Sequence, residues 1–284
     1  MCQKSKYEAD LHCHTSASDG LLTPEGIIEH AVRRGLRAIA ITDHDTITGW
    51  TKAEETSERL GILLIKGIEI NTDWEGKEVH ILGFGMDENN KSFKKQLFDL
   101  QEKRIFRIKE ILEKLKKLGI DISFTDVLQY ARGESVGRPH VAQAMVKKGY
   151  IASIKMAFDR YLKIGCPAYV PRYKLSPTKA IKIINDSGGI PVLAHPGVQD
   201  LESDIRQWVE EGLLGIEITH PDHSLDDKIK YHKIAERKGL IATGGSDYHG
   251  PGIKPGIELG DWGVGLDIVD QLEQMIKQNQ IEAK

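Results

Sequence analysis

The amino-acid sequence predicts an α/β fold, namely one barrel of mainly parallel strands that is closed or nearly closed and carries a helical insertion. Strand patterns alternate with amphipathic helix patterns before about residue 88 and again after about residue 165. Between these points helical patterns follow one another and no convincing strand pattern occurs. Histidines and acids recur at the ends of the predicted strands, which is where parallel barrels bind their ligands.

The chain before the insertion contains four strand patterns and two helix patterns. Its first helix is the best defined, because Thr23 suits the N-cap, Pro24 the first helical position and Gly35 the end. Strands are predicted over 10–15, 36–41, 62–70 and 77–84, and the second helix over about 52–60.

Helical patterns alone fill the insertion. They predict a long helix over 91–118, ended by Gly119, and shorter helices over 125–131, 138–148 and 154–162. Afterwards helices are predicted over 177–187, 201–211, 225–238 and 266–278, and strands over 190–194, 215–219 and 240–243. We therefore predict a barrel domain from residues 1–87 and 166–284, with residues 88–165 as an inserted cap over the substrate site.

The composition excludes several classes of protein. A formal net charge of -3 gives no general attraction to nucleic-acid backbones, so an anionic partner has to be bound locally. Cys2, Cys13 and Cys166 lie far apart, which fits neither a disulfide framework nor a thiolate zinc site. No apolar run is long enough to span a bilayer, and no hydrophobic signal core is seen. We expect a cytoplasmic protein that does not bind membranes, and no protein partner can be inferred.

Residue types that bind metals cluster at the predicted strand ends. If segment 10–15 is extended, His12 and His14 project from one face while Leu11 and Cys13 pack on the other. Taken singly, each residue of the cluster also fits a loop or core position, and Asp43 fits a turn cap equally well. The whole set is His12, His14, Asp19, Asp43, His44, Glu69, His80, His195, Asp247 and His249.

Imidazole and carboxylate ligands without thiolate suit manganese, iron or zinc. The strong candidates are too many for one ion, so the sequence predicts two or three divalent cations, with manganese favoured and zinc, iron or magnesium as alternatives. Glu69 is an acid within an apolar strand and is the natural bridge between two cations. Clustered cations supply hydroxide near neutral pH and neutralise a phosphoryl transition state, which indicates a phosphoesterase.

Seven motifs follow one another in a fixed order. They are His12-x-His14, Asp19-Gly20, Thr42-Asp43-His44-Asp45, the isolated Glu69, His80, Ala194-His195-Pro196 and Ser246-Asp247-x-His249. Together they resemble the PHP (polymerase and histidinol phosphatase) superfamily over most of the chain. The resemblance implies a distorted (β/α)7 barrel with a trinuclear metal centre.

The same resemblance distributes the ligands among three metals. It implies His12, His14, Glu69 and Asp247 for the first, Glu69, His80 and His195 for the second, and Asp19, His44 and His249 for the third. No ligand of the family pattern is missing, which argues against an inactive member. We also expect Glu69 and Asp19 to be catalytic, and Asp19 and His44 to contact the substrate.

Within the superfamily, the insertion and the run 136–140 resemble a branch of bacterial phosphoesterases that act on nucleotides. This branch includes nucleoside 3',5'-bisphosphate phosphatases and 5'-to-3' exoribonucleases. Arg104 and Arg107 share one face of the long helix, and we expect them to clamp a phosphate with Arg138 as a third contact. The alternatives are a solvated charged face for Arg104 and Arg107 and a packing role for Arg138.

Other polar residues near the predicted rim are weaker candidates. His223 follows a strand in Thr-His-Pro-Asp-His and is expected to touch a phosphate or protonate the leaving alkoxide, with a loop role as the alternative. His140 is a similar candidate, and Arg172 is a candidate charge contact after the insertion.

The predicted activity is hydrolysis of a phosphomonoester of a small nucleotide by a metal-bound hydroxide. The preferred substrate is the 3'-phosphate of a nucleoside 3',5'-bisphosphate, whose second phosphate the arginines would hold. Three alternatives stay open: a 5'-to-3' exoribonuclease acting on short 5'-phosphorylated RNA, a histidinol-phosphatase-like enzyme, and a non-catalytic metal- or nucleotide-binding module.

Overall fold

The computed structural model describes residues 4–131, 135–171, 175–199 and 201–282. One sheet of seven strands forms its centre, and the strands lie side by side in chain order. They are β1 (Ala9–Asp10), β2 (Ala38–Ile41), β3 (Leu63–Trp74), β4 (Lys77–Phe84), β5 (Ile190–Leu193), β6 (Gly215–Thr219) and β7 (Ile241–Gly244).

The sheet curls into a nearly closed barrel. The Leu11 N–H donates to the Gly244 carbonyl at 3.1 Å, so the chain directly after β1 meets the end of β7. Ala9 also exchanges backbone hydrogen bonds with Val264. Four of the six strand pairs are parallel, while β4 runs antiparallel to both of its neighbours. The predicted barrel of mainly parallel strands is confirmed, and β4 supplies its distortion.

The reversed strand arises from a tight hairpin between β3 and β4. Glu75 and Gly76 connect the two strands with φ angles of 53° and 85°, which is the backbone that a two-residue hairpin turn requires. Pairing with β4 extends β3 to Trp74, whereas the sequence pattern ended it at residue 70. Glu69 and His80 therefore both lie within their strands. The sequence predicts this for His80, whereas it places Glu69 next to the end of its strand.

The first strand is shorter than predicted. Only Ala9 and Asp10 pair as a strand, and two of the next backbone N–H groups donate to side chains. The Cys13 N–H donates to the Thr42 hydroxyl at 3.1 Å, and the His12 N–H donates to Asp10 Oδ1 at 3.2 Å. Because side chains take these backbone donors, the sheet pairing ends early.

Helices surround the barrel and fill the insertion close to their predicted bounds. The Thr23 side chain caps the first of them by accepting from Gly26 N–H, as predicted. The segment predicted as one helix over 154–162 instead changes from an α-helical turn to a π-helix over Phe158–Leu162. The α-helices are α1 (Pro24–Arg34), α2 (Trp50–Leu60), α3 (Lys91–Lys117), α4 (Phe124–Leu128), α5 (Arg138–Lys147), α6 (Ile154–Ala157), α7 (Pro177–Asn185), α8 (Glu202–Glu210), α9 (Leu225–Lys238) and α10 (Leu266–Glu282).

The insertion has a hydrophobic cluster of its own. Its buried side chains come from the second half of α3, from α4 to α6 and from the chain up to Val170. The first half of α3 instead packs Phe93 and Leu97 into the barrel core. One helix thus joins both cores, and the exact boundaries of the insertion stay a prediction. Among the described helices, none is both long and apolar enough to cross a membrane.

Candidate metal centre

The barrel brings all nine predicted metal ligands into one cluster. Each of the nine side chains has a charged or imidazole atom within 4.0 Å of another member. They reach this point from the chain after β1, from β3 and β4, and from the loops after β2, β5 and β7. The assignment of particular ligands to particular cations stays a prediction.

Glu69 lies at the centre of the cluster and is 1% exposed. Its Oε1 is 2.7 Å from His80 Nδ1 and 3.2 Å from His195 Nε2. Its Oε2 is 2.9 Å from His44 Nδ1 and 3.3 Å from His14 Nε2. The two oxygens therefore face different histidines, which is the arrangement that a bridging carboxylate needs.

Two further carboxylates stand around the same histidines. Asp247 Oδ1 lies 3.2 Å from His14 Nε2 and 3.5 Å from His12 Nε2. Asp19 Oδ1 lies 3.4 Å from His249 Nε2. Among the residues that the structure describes, four groups of histidines and acids have ligand atoms that all lie within 4.8 Å of one another. These groups are His14 with Asp19, His44 and His249; His12 with Glu69 and His195; His12 with His14 and Asp247; and His12 with Glu217 and His220.

The donor atoms of this cluster fit divalent cations. His12 Nε2 and both ring nitrogens of His14 are buried and make no hydrogen bond to any residue that the structure describes. A buried ring nitrogen without a hydrogen bond is costly, and a bound cation would satisfy its lone pair. The thiol of Cys13 points elsewhere, because its Sγ donates to the Ala40 carbonyl at 2.9 Å. Among the described residues, the candidate donors are thus imidazoles and carboxylates, which suits manganese, iron or zinc.

The cluster holds a high density of ionised carboxylates. Burial raises the pKa of Glu69 and Asp19, but the neighbouring histidines outweigh this and hold both pKa values well below their usual range. Burial lowers the pKa of His14, but Asp247 and Glu69 outweigh it and raise that pKa to about 10. At His44 burial prevails and lowers the pKa to about 4. The ionised carboxylates therefore attract either protons or metal cations to the histidine ring nitrogens that face them.

Asp43 supports the loop that carries Asp19. Its carboxylate accepts from the Thr15 N–H at 2.8 Å, the Thr15 hydroxyl at 2.6 Å and the Ser18 hydroxyl at 2.5 Å. Both carboxylate oxygens are used in these bonds. Of the two interpretations that the sequence left open for Asp43, the structure favours the turn-supporting role.

His220 and His223 follow β6 but have different surroundings. His223 donates from Nδ1 to the Ile218 carbonyl at 2.8 Å and accepts at Nε2 from the Gly197 N–H at 3.1 Å. Both of its ring nitrogens are therefore engaged by the backbone, which counts against the predicted role in proton transfer. His220 accepts at Nδ1 from the Asp222 N–H, and its buried Nε2 lies 3.7 Å from Asp247 Oδ2.

The predicted arginine clamp is partly occupied by protein groups. Arg104 Nε donates to Asp45 Oδ2 at 2.5 Å, and Arg107 Nε donates to the Val170 carbonyl at 2.8 Å. Arg138 donates to Glu78 Oε1 at 2.9 Å and to the Leu162 carbonyl at 3.2 Å.

All three arginines are therefore held by the fold, so a purely solvated face does not describe Arg104 and Arg107. Two of these contacts fasten the insertion to the barrel, because Asp45 follows β2 and Glu78 lies in β4. Arg104 Nη2 remains buried without a hydrogen bond among the described residues. His140 accepts from Gly137 N–H at 3.0 Å and lies near Asp19, while Arg172 lies outside the described residues.

Two residues of the site were missed from the sequence. Glu217 is fully buried in β6 and contacts His12 and the backbone of His195. Its signal, one acid within the apolar run Gly-Ile-Glu-Ile-Thr, is the same as that of Glu69. Lys254 pairs its ammonium group with Asp247 Oδ2. It lies in a glycine- and proline-rich loop with no periodic pattern, so the sequence offered no signal for it.

Known proteins resemble this chain along most of its length. The PHP domain matches residues 10–164, which is more than half of the chain. A 3',5'-nucleoside bisphosphate phosphatase of Chromobacterium violaceum is 35% identical over 249 residues, covering 86% of this chain and 87% of the relative. The 5'-3' exoribonuclease Rnm of Salmonella typhimurium is 37% identical over 258 residues, covering 88% and 87%.

A solved structure has the same fold. A protein from Bifidobacterium adolescentis, provisionally described as a metal-dependent phosphoesterase, superposes with a TM-score of 0.89 at 32% identity. The superposition covers 96% of this chain and 98% of that one. The expected resemblance and the expected distorted barrel are both confirmed. The chain therefore belongs to the PHP family of metal-dependent phosphoesterases.

Proposed function

We propose that this phosphoesterase removes the 3'-phosphate of a nucleoside 3',5'-bisphosphate, using two or three divalent cations, of which manganese is favoured. The observation that carries the proposal is the position of Glu69, whose two oxygens face separate sets of histidines. A site built for a single cation has no use for a carboxylate with nitrogen donors on both sides. The Chromobacterium violaceum relative, named for this activity, adds support.

The proposed ligands follow the grouping of the side chains. His12, His14, Glu69 and Asp247 would hold one cation, Glu69, His80 and His195 a second, and Asp19, His44 and His249 a third. When bound, such cations lower the pKa of water and neutralise charge on a phosphoryl group in an in-line displacement. Glu69 and Asp19 fix the relative positions of the cation sites, and we assign their catalytic role to this.

The residues of the chain orient the substrate in this proposal. Because His220 accepts at Nδ1, its neutral ring carries a proton on Nε2, and this N–H faces the cluster beside Asp247. We assign to His220, in place of His223, the hydrogen bond to a phosphoryl or leaving-group oxygen. Asp19 Oδ2 lies 3.8 Å from His44 Nε2 in the same cluster, and both residues remain proposed substrate contacts.

The insertion supplies the contacts to the second phosphate. Arg104 Nη2 is a buried guanidinium nitrogen without a hydrogen bond in the described part of the chain, so it retains a donor for an anion. Arg107 and Arg138 lie in the same insertion, and their guanidinium groups supply the other two positive charges of the proposed clamp. A requirement for a terminal phosphate follows from such a clamp, because the buried N–H donors of Arg104 Nη2 stay without an acceptor when the phosphate is absent.

A 5'-to-3' exoribonuclease is the second candidate. The Salmonella typhimurium relative carries this name at 37% identity and nearly full coverage. The same ligands and arginines would then act on a phosphodiester and on a 5'-phosphate. A histidinol-phosphatase-like activity has no use for the second-phosphate clamp. A non-catalytic module is expected to have lost some of the ligands, whereas all nine are present.

The deciding experiment compares three substrates with manganese supplied: adenosine 3',5'-bisphosphate, a 5'-phosphorylated RNA trimer and 5'-AMP. We expect rapid conversion of the bisphosphate to 5'-AMP, slow attack on the trimer and no attack on 5'-AMP. Stepwise release of 5'-mononucleotides from the trimer at an equal or higher rate would favour the exoribonuclease. If none of the three is hydrolysed, the nucleotide assignment is wrong.

A further inference from the structure

Glu217 is a buried carboxylate that contacts His12 at the ring nitrogen opposite the one facing Glu69. Glu217 lies in β6 and is 0% exposed. Its Oε1 is 3.0 Å from His12 Nδ1, and its Oε2 accepts from the His195 N–H at 2.9 Å. Glu217 belongs to neither the predicted ligand sets nor the arginine clamp, yet both of its oxygens are used.

The first contact determines how His12 presents its ring. A carboxylate beside Nδ1 holds the proton on that nitrogen, so the lone pair of the neutral ring is on Nε2. Nε2 is the atom that points into the cluster, 3.5 Å from Glu69 Oε1 and 3.5 Å from Asp247 Oδ1. If the proton moved to Nε2, His12 would lose its ability to bind a cation there.

The second contact acts on the backbone of His195. This residue has φ 28° and ψ 55°, a left-handed conformation that costs free energy for any residue with a β-carbon. The bond from its N–H to Glu217 helps to hold that conformation. With the backbone so held, His195 Nε2 lies 3.2 Å from Glu69 Oε1, and its ring stacks on that of His12 at 5.7 Å.

We infer that Glu217 is a positioning residue of the metal centre, which fixes the proton on His12 Nδ1 and the backbone of His195 so that both rings present Nε2 to cations. This inference rests on the proposed function, because it assumes that cations bind in the cluster. One carboxylate thus orients two ligands that were assigned to different cations. Carboxylates that bind the far nitrogen of a histidine ligand commonly raise metal affinity 10- to 100-fold.

The test is the variant Glu217→Gln, which has nearly the same shape. The backbone N–H of His195 can only donate, so the amide oxygen should face it and the amide N–H₂ should face His12 Nδ1, which can accept only when the neutral ring carries its proton on Nε2. We expect the dissociation constant for Mn²⁺, measured from the electron paramagnetic resonance signal of free Mn²⁺, to rise by about 10- to 100-fold. The matched control is Glu211→Gln, because Glu211 is a partly buried acid that bonds to Thr178 at a distance from the cluster.

A second readout separates positioning from a merely structural role. Protein labelled with ¹⁵N-histidine and loaded with Zn²⁺ should show the His12 ring bound through Nε2 with its proton on Nδ1. Glu217→Gln should lose that pattern, whereas the control should keep it. If the variant does not fold, Glu217→Asp replaces it; the shorter carboxylate should weaken Mn²⁺ binding by a smaller factor.

The outcomes distinguish this inference from the proposed function. If the wild-type protein binds no Mn²⁺, the proposed cation sites are wrong and Glu217 has no centre to support. If the wild type binds Mn²⁺ and Glu217→Gln binds it equally well with an unchanged His12 pattern, only the positioning role is wrong. A lower melting temperature of the metal-free variant with unchanged Mn²⁺ affinity would likewise show a structural role alone.

Discussion

Replacing Arg104 by methionine tests whether this arginine binds substrate as well as fastening the insertion. Arg104 Nε donates to Asp45 Oδ2 at 2.5 Å, and the two side chains are only 17% and 5% exposed. Breaking a buried ion pair from one side typically costs about 3–5 kcal/mol. Asp45 retains bonds from the backbone and side-chain N–H groups of Asn71 at 3.1 Å. We therefore expect a smaller loss in the free energy of unfolding, about 2–3 kcal/mol.

A double variant separates the two roles of Arg104. Adding Asp45→Asn removes the unpaired charge, so most of the lost stability should return when unfolding is followed in urea. The substrate contact does not return, because no guanidinium is present. We expect kcat/KM for adenosine 3',5'-bisphosphate to stay about 10- to 100-fold below wild type, matching the loss of one charge-assisted contact.

The control substrate is adenosine 3'-monophosphate, which lacks the second phosphate. Its kcat/KM should change less than about threefold in the double variant, on the reasoning that Arg104 contacts only the missing group. Recovery of both stability and bisphosphate turnover in the double variant would refute the clamp and leave Arg104 with a structural role. Equal losses on both substrates would also refute it.

Further predictions concern the cluster itself. Asp247→Ala and His14→Ala should each abolish hydrolysis and lower the Mn²⁺ content measured by mass spectrometry, because each removes a proposed ligand of the first cation. In the metal-free protein the pKa of His14 is raised to about 10, so its contribution to stability is complete below about pH 6.5 and is lost as the pH rises toward 10. Cations compete with that proton, so Mn²⁺ affinity should increase with pH over the same window. His220→Asn should lower kcat, whereas His223→Asn should mainly lower the melting temperature.

Each of these predictions has a result that contradicts it. Full activity in Asp247→Ala or His14→Ala would overturn the ligand assignment. An Mn²⁺ affinity that does not change between pH 6.5 and pH 9 would show that no proton is displaced from His14. A loss of kcat in His223→Asn without a loss of stability would restore His223 as the residue that contacts the substrate.

Much of the metal centre was predictable because barrel topology gathers strand ends. Residues such as His12, His195 and Asp247 lie far apart in sequence, but each follows a recognisable strand, so their convergence could be expected. The helix caps at Thr23 and Gly35 depend only on neighbouring residues, and they were also predicted correctly. The hairpin that reverses β4 was not predicted, because a strand pattern does not state the direction of its partner.

The sequence did not indicate which residues pair with the charged side chains. Arg104 and Arg138 were identified as candidates from their spacing and setting, yet their carboxylate partners lie 59 and 60 residues away. Glu217 differs from these, because it has the same pattern as Glu69, one acid within an apolar strand, so its burial was predictable from the sequence. A lone acid within an apolar strand is a signal of a buried partner wherever it occurs.

The closure of the barrel determines when this enzyme can mature during synthesis. The contact from His12 to Glu217 spans 205 positions, and the bond from Ser246 to Asp10 spans 236. Chain segments fold as they leave the ribosome, starting from the N-terminus. The first two histidines therefore remain incomplete binding sites until β6, β7 and the loop after β7 have been made, so the ligands reach their final arrangement only after more than 200 further residues have been added.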